Sequence, residues 1–66
     1  MSIGQTIRNI RTAKDITLRE IEEATGIGNG YLSRLERGLY SPSIDTLQRI
    51  CDAIGAEIII QDKEGR

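Results

Sequence analysis

The segment 17–37, TLREIEEATGIGNGYLSRLER, constrains the fold of this 66-residue chain more than any other part. Thr17 and Glu20, three residues apart, form the pattern of a capping box, which starts a helix. Gly26 suits the left-handed position that ends a helix, and a new helical pattern begins by Asn29. The segment therefore predicts two short helices joined by a glycine-containing turn, the arrangement of a helix-turn-helix unit.

The second predicted helix, residues 29–37, has an apolar face and a polar face. Its apolar positions recur at helical spacing and are Tyr31, Leu32 and Leu35, with Ile27 in the turn beneath them. The opposite stripe follows i, i+3, i+4 and i+7 spacing and consists of Gly30, Ser33, Arg34 and Arg37. This stripe has little bulk near its start and two guanidinium groups further along.

A helix with such a stripe can approach the major groove of DNA closely. Arginine can donate to guanine edges or to phosphates, and Asn29 can pair with adenine. The alternative is an ordinary solvated face with two surface arginines, and taken alone that alternative is the better interpretation. The capping box, the short turn and the small residues at the start of the helix together favour DNA.

Residues 3–56 resemble the Cro and lambda-repressor type of helix-turn-helix domain, a family that is also described as xenobiotic-response-element-type transcriptional regulators. The resemblance rests on the segments YLSRLERG and SPSIDTLQRI, which occur at the separation that the family shows. The resemblance implies a compact bundle of four or five helices that binds operator DNA, usually as a dimer.

Three positions depart from the family pattern. Leu18 stands where a glutamine usually contacts DNA, so that this contact is lost or is made by the main chain or by Arg19. Glu22 stands at a position that is normally small because the two helices cross closely there. Gly28 replaces a capping Ser or Thr, and glycine is an acceptable cap without a hydroxyl. These changes bear on affinity and sequence choice and leave the fold intact.

The expected DNA contacts fall into two groups. The residues expected at base edges are Asn29, Ser33 and Arg34, with Gly28 and Gly30 permitting close approach. The residues expected at the phosphate backbone are Thr17, Arg19, Tyr31 and Arg37, and Leu18 is counted among the DNA-binding residues for its main chain. Tyr40, in the loop 38–42 that follows, either touches phosphate or packs, and the sequence leaves both open.

The net charge of −1 argues at first against DNA binding, because phosphate contacts need cations. The charge is unevenly distributed, however. Residues 1–19 hold four basic residues against one acidic residue, whereas residues 38–66 hold three basic residues against five acidic ones. The basic part lies close to the expected DNA face, so the sequence predicts modest, salt-sensitive affinity.

Arg11 and Glu36 are predicted to form a buried ion pair. Arg11 falls four residues after Ile7, and Glu36 falls four residues after Leu32, so each lies at the edge of an apolar stripe. A desolvated guanidinium without a partner is costly, and the resemblance also implies such a pair. Two independent surface charges are the second-ranked alternative.

The remaining helices are predicted from their caps and apolar spacing. Ser2 with Gln5 resembles a second capping box, which opens a helix with Ile3, Ile7 and Ile10 at its apolar positions. Ser43 is expected to cap a helix over Ile44–Ile54 that Gly55 ends. Its expected buried face consists of Ile44, Leu47, Ile50, Cys51 and Ile54. The thiol of Cys51 is expected to be buried and inert.

The C-terminal segment 56–62 has three consecutive β-branched residues, which favours a strand. A lone strand has no partner in a helical chain, so it is expected to pair with the same strand of a second subunit. The expected dimerisation residues are Ala56, Glu57, Ile58, Ile59, Ile60 and Gln61. The predicted fold is therefore mostly α, a compact four-helix domain over residues 1–55, with a dimerisation strand and a frayed tail over residues 56–66.

The sequence is compatible with functions from three different classes to different degrees. The favoured one is a dimeric, sequence-specific transcriptional regulator, with a repressor preferred over an activator, acting on double-stranded operator DNA. The alternative is an antitoxin that binds a toxin partner and also represses its own operon. An enzyme is disfavoured because the chain has no histidine, no metal-ligand cluster and no nucleophile-base spacing, and neither cofactor nor metal is expected. Without a membrane span or signal-peptide pattern, a cytoplasmic protein of bacterial or phage origin is expected.

Overall fold

The computed structural model describes residues 2–60 and contains four helices within them. In chain order these are α1 (Ile3–Ala13), α2 (Leu18–Thr25), α3 (Asn29–Glu36) and α4 (Ile44–Ile54). α1 packs against α3 and α4, and α2 packs against α3 and α4. Their inner faces enclose one core cluster, which consists of Ile7, Ile21, Leu32, Leu35, Leu47, Ile50, Cys51 and Ile54. The predicted four-helix bundle is thus confirmed.

The helices begin where the sequence predicts caps. The hydroxyls of Ser2, Thr17 and Ser43 each accept a hydrogen bond from the backbone N–H three residues on. The second capping box is only half formed, however. The amide of Gln5 donates to the side chain of Asn9, 2.9 Å away, instead of returning to Ser2. Gln5 lies one helical turn before Asn9 on the exposed face of α1, so the two side chains can meet.

Gly4 allows α1 and α3 to approach each other closely. A Cβ atom at Gly4 would lie 2.0 Å from the carbonyl oxygen of Leu35, far inside van der Waals contact. Only a residue without a side chain fits against the backbone of α3 at this point. The sequence prediction missed this role, although Gly4 lies three residues before Ile7 on the same face of α1.

Two basic side chains each donate to carbonyl groups at the C-terminus of a helix that is distant in sequence. The ammonium group of Lys14 donates to the carbonyl oxygens of Ile54 and Gly55, at 2.7 and 3.3 Å. The guanidinium of Arg49 donates to the carbonyl oxygen of Thr25. Both cations therefore lie at helix C-termini, where carbonyl groups lack helical partners and positive charge is favoured.

Two isoleucines that were predicted on apolar faces are exposed instead. Ile3 is 49% exposed and Ile44 is 66% exposed. Each is the first residue of its helix, where the preceding chain is not helical and the neighbouring helices do not cover the side chain. The apolar spacing therefore predicts burial correctly within the helices and wrongly for the first residue of α1 and of α4.

Cys51 lies in the core, as predicted. Burial raises the pKa of its thiol, and the charge of Asp52 raises it further. The thiol is therefore neutral at ordinary pH and a poor nucleophile.

The predicted C-terminal strand is wrong for the part of the segment that the structure describes. Residues 56–60 form no strand; the N–H of Ala56 donates to the carbonyl oxygen of Cys51, 2.8 Å away, and completes the end of α4. Ile58 packs against the core, while Ile59 and Ile60 are 70% and 88% exposed. A strand needs a ladder partner, and one chain supplies none here. Gln61 and the tail 62–66 lie outside the described residues.

Among residues 2–60, no helix has the length and apolar character that crossing a membrane requires.

Candidate nucleic-acid interface

The turn between α2 and α3 is held by local hydrogen bonds. Gly26 adopts the left-handed conformation with φ +77°, and its N–H donates to the carbonyl oxygen of Glu22, 2.7 Å away. The hydroxyl of Thr25 donates to the carbonyl oxygen of Ile21 and accepts from the N–H of Ile27. These contacts fix the direction in which the chain enters α3.

The two faces of α3 are arranged as the sequence predicts. Leu32 and Leu35 are fully enclosed in the core, and Tyr31 is half-buried against it. On the other side, Ser33 is half-buried. The exposed residues on that side are Asn29, Gly30, Arg34 and Arg37. The polar stripe is therefore accessible from solvent along the whole helix.

The guanidinium of Arg34 lies back over Gly30. A Cβ atom at Gly30 would be 3.8 Å from Nη1 of Arg34, an ordinary contact distance. The space between Gly30 and the guanidinium would therefore accommodate the methyl group of an alanine. Because long helical side chains point toward the helix N-terminus, Arg34 presents its donors near the start of α3.

At the start of α3, Asn29 is contacted by a side chain from α2. Its Nδ2 donates to Oε1 of Glu22, 3.3 Å away. Glu22 is half-buried at a position that the family pattern reserves for small residues, yet α2 and α3 still cross. The long side chain extends out of the crossing to the beginning of α3, and so it does not separate the helices.

The N-terminus of α2 contributes the other predicted contacts. Thr17 and Glu20 form the complete capping box, with the N–H of Thr17 donating to Oε1 of Glu20 at 2.9 Å. The hydrogen bonds from the backbone and hydroxyl of Thr17 lower the pKa of Glu20. Leu18 packs partly against the core, whereas Arg19 is exposed. Thr17, Arg19 and the main chain are therefore the groups at this helix end that are accessible to a ligand.

The predicted ion pair between Arg11 and Glu36 is present beneath α3. Nε and Nη2 of Arg11 donate to the two carboxylate oxygens of Glu36, at 2.8 and 2.9 Å. Nη1 of Arg11 donates to the carbonyl oxygen of Ile16, at 2.8 Å. The two side chains are 11% and 3% exposed, and the hydrogen bond to Glu36 is the main cause that raises the pKa of Arg11. The pair joins α1, the approach to α2 and the end of α3.

Tyr40 packs on the helix that precedes it. Its ring stacks on that of Tyr31, with the centroids 5.1 Å apart and the ring planes at 12°. Such offset pairs contribute beyond the apolar area that they bury. The sequence left the role of Tyr40 open, because the path of the loop 38–42 sets whether the rings meet.

The α2–turn–α3 unit, packed against α1 and α4, defines the class of this protein as a helix-turn-helix domain. The helix-turn-helix family model matches residues 7–59, so the chain belongs to the Cro and lambda-repressor type of helix-turn-helix family.

Several curated proteins are similar to this chain. An HTH-type transcriptional regulator of Mycobacterium tuberculosis is 41% identical over 58 residues, covering 85% of this chain and 41% of that protein. The immunity repressor protein of Bacillus phage phi105 is 33% identical, covering 88% of this chain and 40% of the repressor. This chain therefore spans about two fifths of the length of these relatives.

A crystal structure of the clp gene regulator ClgR from Corynebacterium glutamicum has a similar fold. The two chains are 45% identical with a TM-score of 0.77, over 80% of this chain and 56% of the ClgR chain. Family, relatives and fold agree on a helix-turn-helix domain of the kind found in transcriptional regulators. Membership of a DNA-binding helix-turn-helix family supports the sequence prediction against an enzyme for the matched residues 7–59.

Proposed function

We propose that this protein is a transcriptional repressor that inserts α3 into the major groove of a near-palindromic operator as a two-fold dimer. One observation carries the proposal. The outer side of α3 presents a small residue, an amide and two guanidinium groups to solvent, while its inner side is enclosed in the core. This combination permits close approach to base edges without loss of fold stability.

Within this proposal, the start and middle of α3 read bases. Arg34 donates to a guanine edge, Asn29 pairs with adenine, and Ser33 contacts a neighbouring base. Gly28 and Gly30 keep the helix surface low at the point of closest approach. The position of the Arg34 guanidinium over Gly30 supports this assignment, because it brings the donors toward the same end of the helix as Asn29.

The phosphate contacts flank the groove. Thr17, Arg19, Tyr31 and Arg37 hold the DNA backbone, and the main chain at Leu18 takes the place of the glutamine that this position usually carries. Arg37 follows the last residue of α3 and is exposed, which suits a phosphate at the edge of the groove. These contacts fix the position of α3 and carry little sequence information.

Dimerisation is proposed through the segment after α4. Ile3 and Ile59 line one apolar groove between α1, α4 and this segment, and Ile60 is the most exposed large apolar side chain among the described residues. A second copy would cover these side chains, and Ala56, Glu57 and Ile58, which line the same groove, would belong to the interface. Two α3 helices related by a two-fold axis would meet half-sites about one DNA turn, ~34 Å, apart.

Repression is the sign of regulation that we favour, because a domain bound across an operator blocks it and one similar protein is named an immunity repressor. The bacterial and phage relatives support a bacterial or phage origin and a cytoplasmic location, where operator DNA is found. No feature of residues 2–60 favours the antitoxin alternative over this one.

Selection of bound fragments from random double-stranded DNA tests the proposal. The wild-type chain should enrich a two-fold symmetric motif whose half-sites are centred about 10 base pairs apart. The matched comparison is the double variant Arg34→Ala/Arg37→Ala, whose exposed side chains can be removed without disturbing the core, and it should enrich the motif more weakly and without the base preference that Arg34 provides. Wild-type protein that binds only without sequence preference, even at low salt, would contradict the proposed function.

A further inference from the structure

We propose that Glu22 on α2 is a specificity-determining residue that acts through Asn29. The carboxylate holds the Asn29 amide in the one orientation that reads adenine, and it weakens binding to all other DNA. The inference rests on the proposed function, because it concerns how the same helix selects its operator.

The geometry brings the Glu22 carboxylate to the first residues of α3. Oε1 of Glu22 accepts the hydrogen bond from Nδ2 of Asn29 at 3.3 Å. Oε2 would lie 3.9 Å from a Cβ atom at Gly28, the residue that caps α3. Both carboxylate oxygens therefore lie beside the N-terminus of α3, at the end of the helix where base reading is proposed.

The chemistry of the two side chains fixes the orientation of the amide. An ionised carboxylate only accepts hydrogen bonds, whereas an asparagine amide has one accepting oxygen and two N–H donors. Asn29 must therefore turn Nδ2 toward Glu22 and Oδ1 away from it. One N–H and the oxygen remain available, and adenine requires this pair, at N7 and N6 respectively. The flipped amide, which would present a different pattern to the base, is excluded.

Glu22 and Gly28 both depart from the family pattern, and the two departures complement each other at this contact. Gly28 has no hydroxyl to cap α3, and its lack of a side chain leaves space that the Glu22 carboxylate approaches. Negative charge is favourable near a helix N-terminus. The same charge is unfavourable for phosphates that come near α3. Glu22 thus lowers affinity for DNA in general while its contact with Asn29 favours adenine at one position.

Replacement of Glu22 by its isosteric amide separates these two effects. Glu22→Gln keeps the size of the side chain but offers Asn29 a donor as well as an acceptor, so both amide orientations become possible. Glu23→Gln is the matched control, because Glu23 is adjacent, exposed and equally charged, and its side chain has no hydrogen-bond or ion-pair partner among the described residues. Each variant is measured on the selected operator and on operators with every base at the adenine position, with thermal unfolding to verify the fold.

Both variants should bind unrelated DNA somewhat more tightly than wild type. Only Glu22→Gln should lower the preference for adenine, by about threefold or more, a part of the roughly five- to 150-fold that one good bidentate contact provides. In an Asn29→Ala background, Glu22→Gln should leave the base preference unchanged, since the amide that it orients is gone. That non-additivity is the expected signature of an effect through Asn29.

The inference is overturned if Glu22→Gln keeps the full adenine preference, or if it shifts affinity for every operator equally in both backgrounds. It is also overturned if Asn29→Ala leaves base preference unchanged at every position. These results differ from failure of the proposed function, in which the wild-type protein itself would show no sequence preference.

Discussion

At the scale of single residues, Glu36 is the buried charged residue of the described chain, and Arg11 neutralises it. Glu36→Ala would leave the Arg11 guanidinium nearly buried without its carboxylate. We expect the free energy of unfolding to fall by about 3–5 kcal/mol, a large fraction of the stability of so small a domain. Urea denaturation of Glu36→Ala, Arg11→Ala and the double variant measures the coupling.

The double variant should lose much less stability than the two single losses combined, because each single variant leaves one charge without its partner. Arg8→Ala is the control on the same helix, since Arg8 is exposed, and it should change stability little. Additive losses for Arg11 and Glu36 would mean that the pair contributes no coupling energy.

Two glycines of this chain should respond in opposite ways to the same substitution. Gly4→Ala places a methyl group against the carbonyl oxygen of Leu35, so α1 must move away from α3. We expect a loss of about 1–3 kcal/mol or more. Gly30→Ala meets only the flexible end of Arg34 at an ordinary distance, and the better helix propensity of alanine should add about 0.5–1 kcal/mol.

Thermal or chemical unfolding of the two alanine variants checks this pair. A bulky residue at position 30 should also fold yet fail to bind the operator, because it fills the space between α3 and the groove. Equal stability of Gly4→Ala and Gly30→Ala would contradict the close packing of α1 on α3.

At the scale of elements, the capping box of α2 should give the domain a pH-dependent stability. Hydrogen bonds from Thr17 lower the pKa of Glu20 in the folded state. Its contribution is therefore complete above the unfolded value of about 4.3 and is lost as the pH falls through the lower folded value. Between pH 6 and pH 3, wild type should lose more stability than Glu20→Gln, which keeps a capping side chain without this titration. Parallel stability curves would contradict the contribution of Glu20.

The elements whose start and end are set locally were predicted from the sequence. A Ser or Thr side chain and the backbone N–H three residues away decide a helix start, and a left-handed glycine decides its end. The start and end of α2 were therefore predicted correctly from Thr17 and Gly26, and the start of α4 from Ser43. The Arg11–Glu36 pair was also predicted, because burial forces a charge on an apolar edge to find a partner.

The features that depend on contacts between distant parts of the chain were not predicted. Gly4 is needed only because the backbone of α3 lies beside it, and the exposure of Ile44 follows from the absence of a covering helix. The stacking of Tyr40 on Tyr31 depends on the path of a loop. Residues 56–60 have the β-branched composition of a strand, but local composition does not supply a ladder partner.

At the scale of the whole molecule, the exposed isoleucines after α4 should hold the dimer together. Ile59→Asp/Ile60→Asp removes two exposed apolar side chains and leaves Ile58 in place against the core. We expect the helical content to be retained, the protein to sediment as a monomer, and operator affinity to fall because two half-sites no longer bind together.

Ile44→Asp is the matched control, because the exposure of Ile44, 66%, is close to the 70% of Ile59, but Ile44 does not line the groove between α1, α4 and the C-terminal segment. It should remain dimeric. A dimer that persists in the Ile59→Asp/Ile60→Asp variant would place the interface on another surface of the bundle.

The most direct test of DNA reading by α3 compares the binding of Arg34→Ala and Arg37→Ala across a complete set of operator variants and salt concentrations. Arg34→Ala should cost about 1–3 kcal/mol on the best operator and should relax the preference at one base pair of each half-site. Arg37→Ala should weaken binding to all sequences alike and reduce the salt slope by about one. An unchanged base preference in Arg34→Ala would contradict the assignment of this face of α3 to the bases.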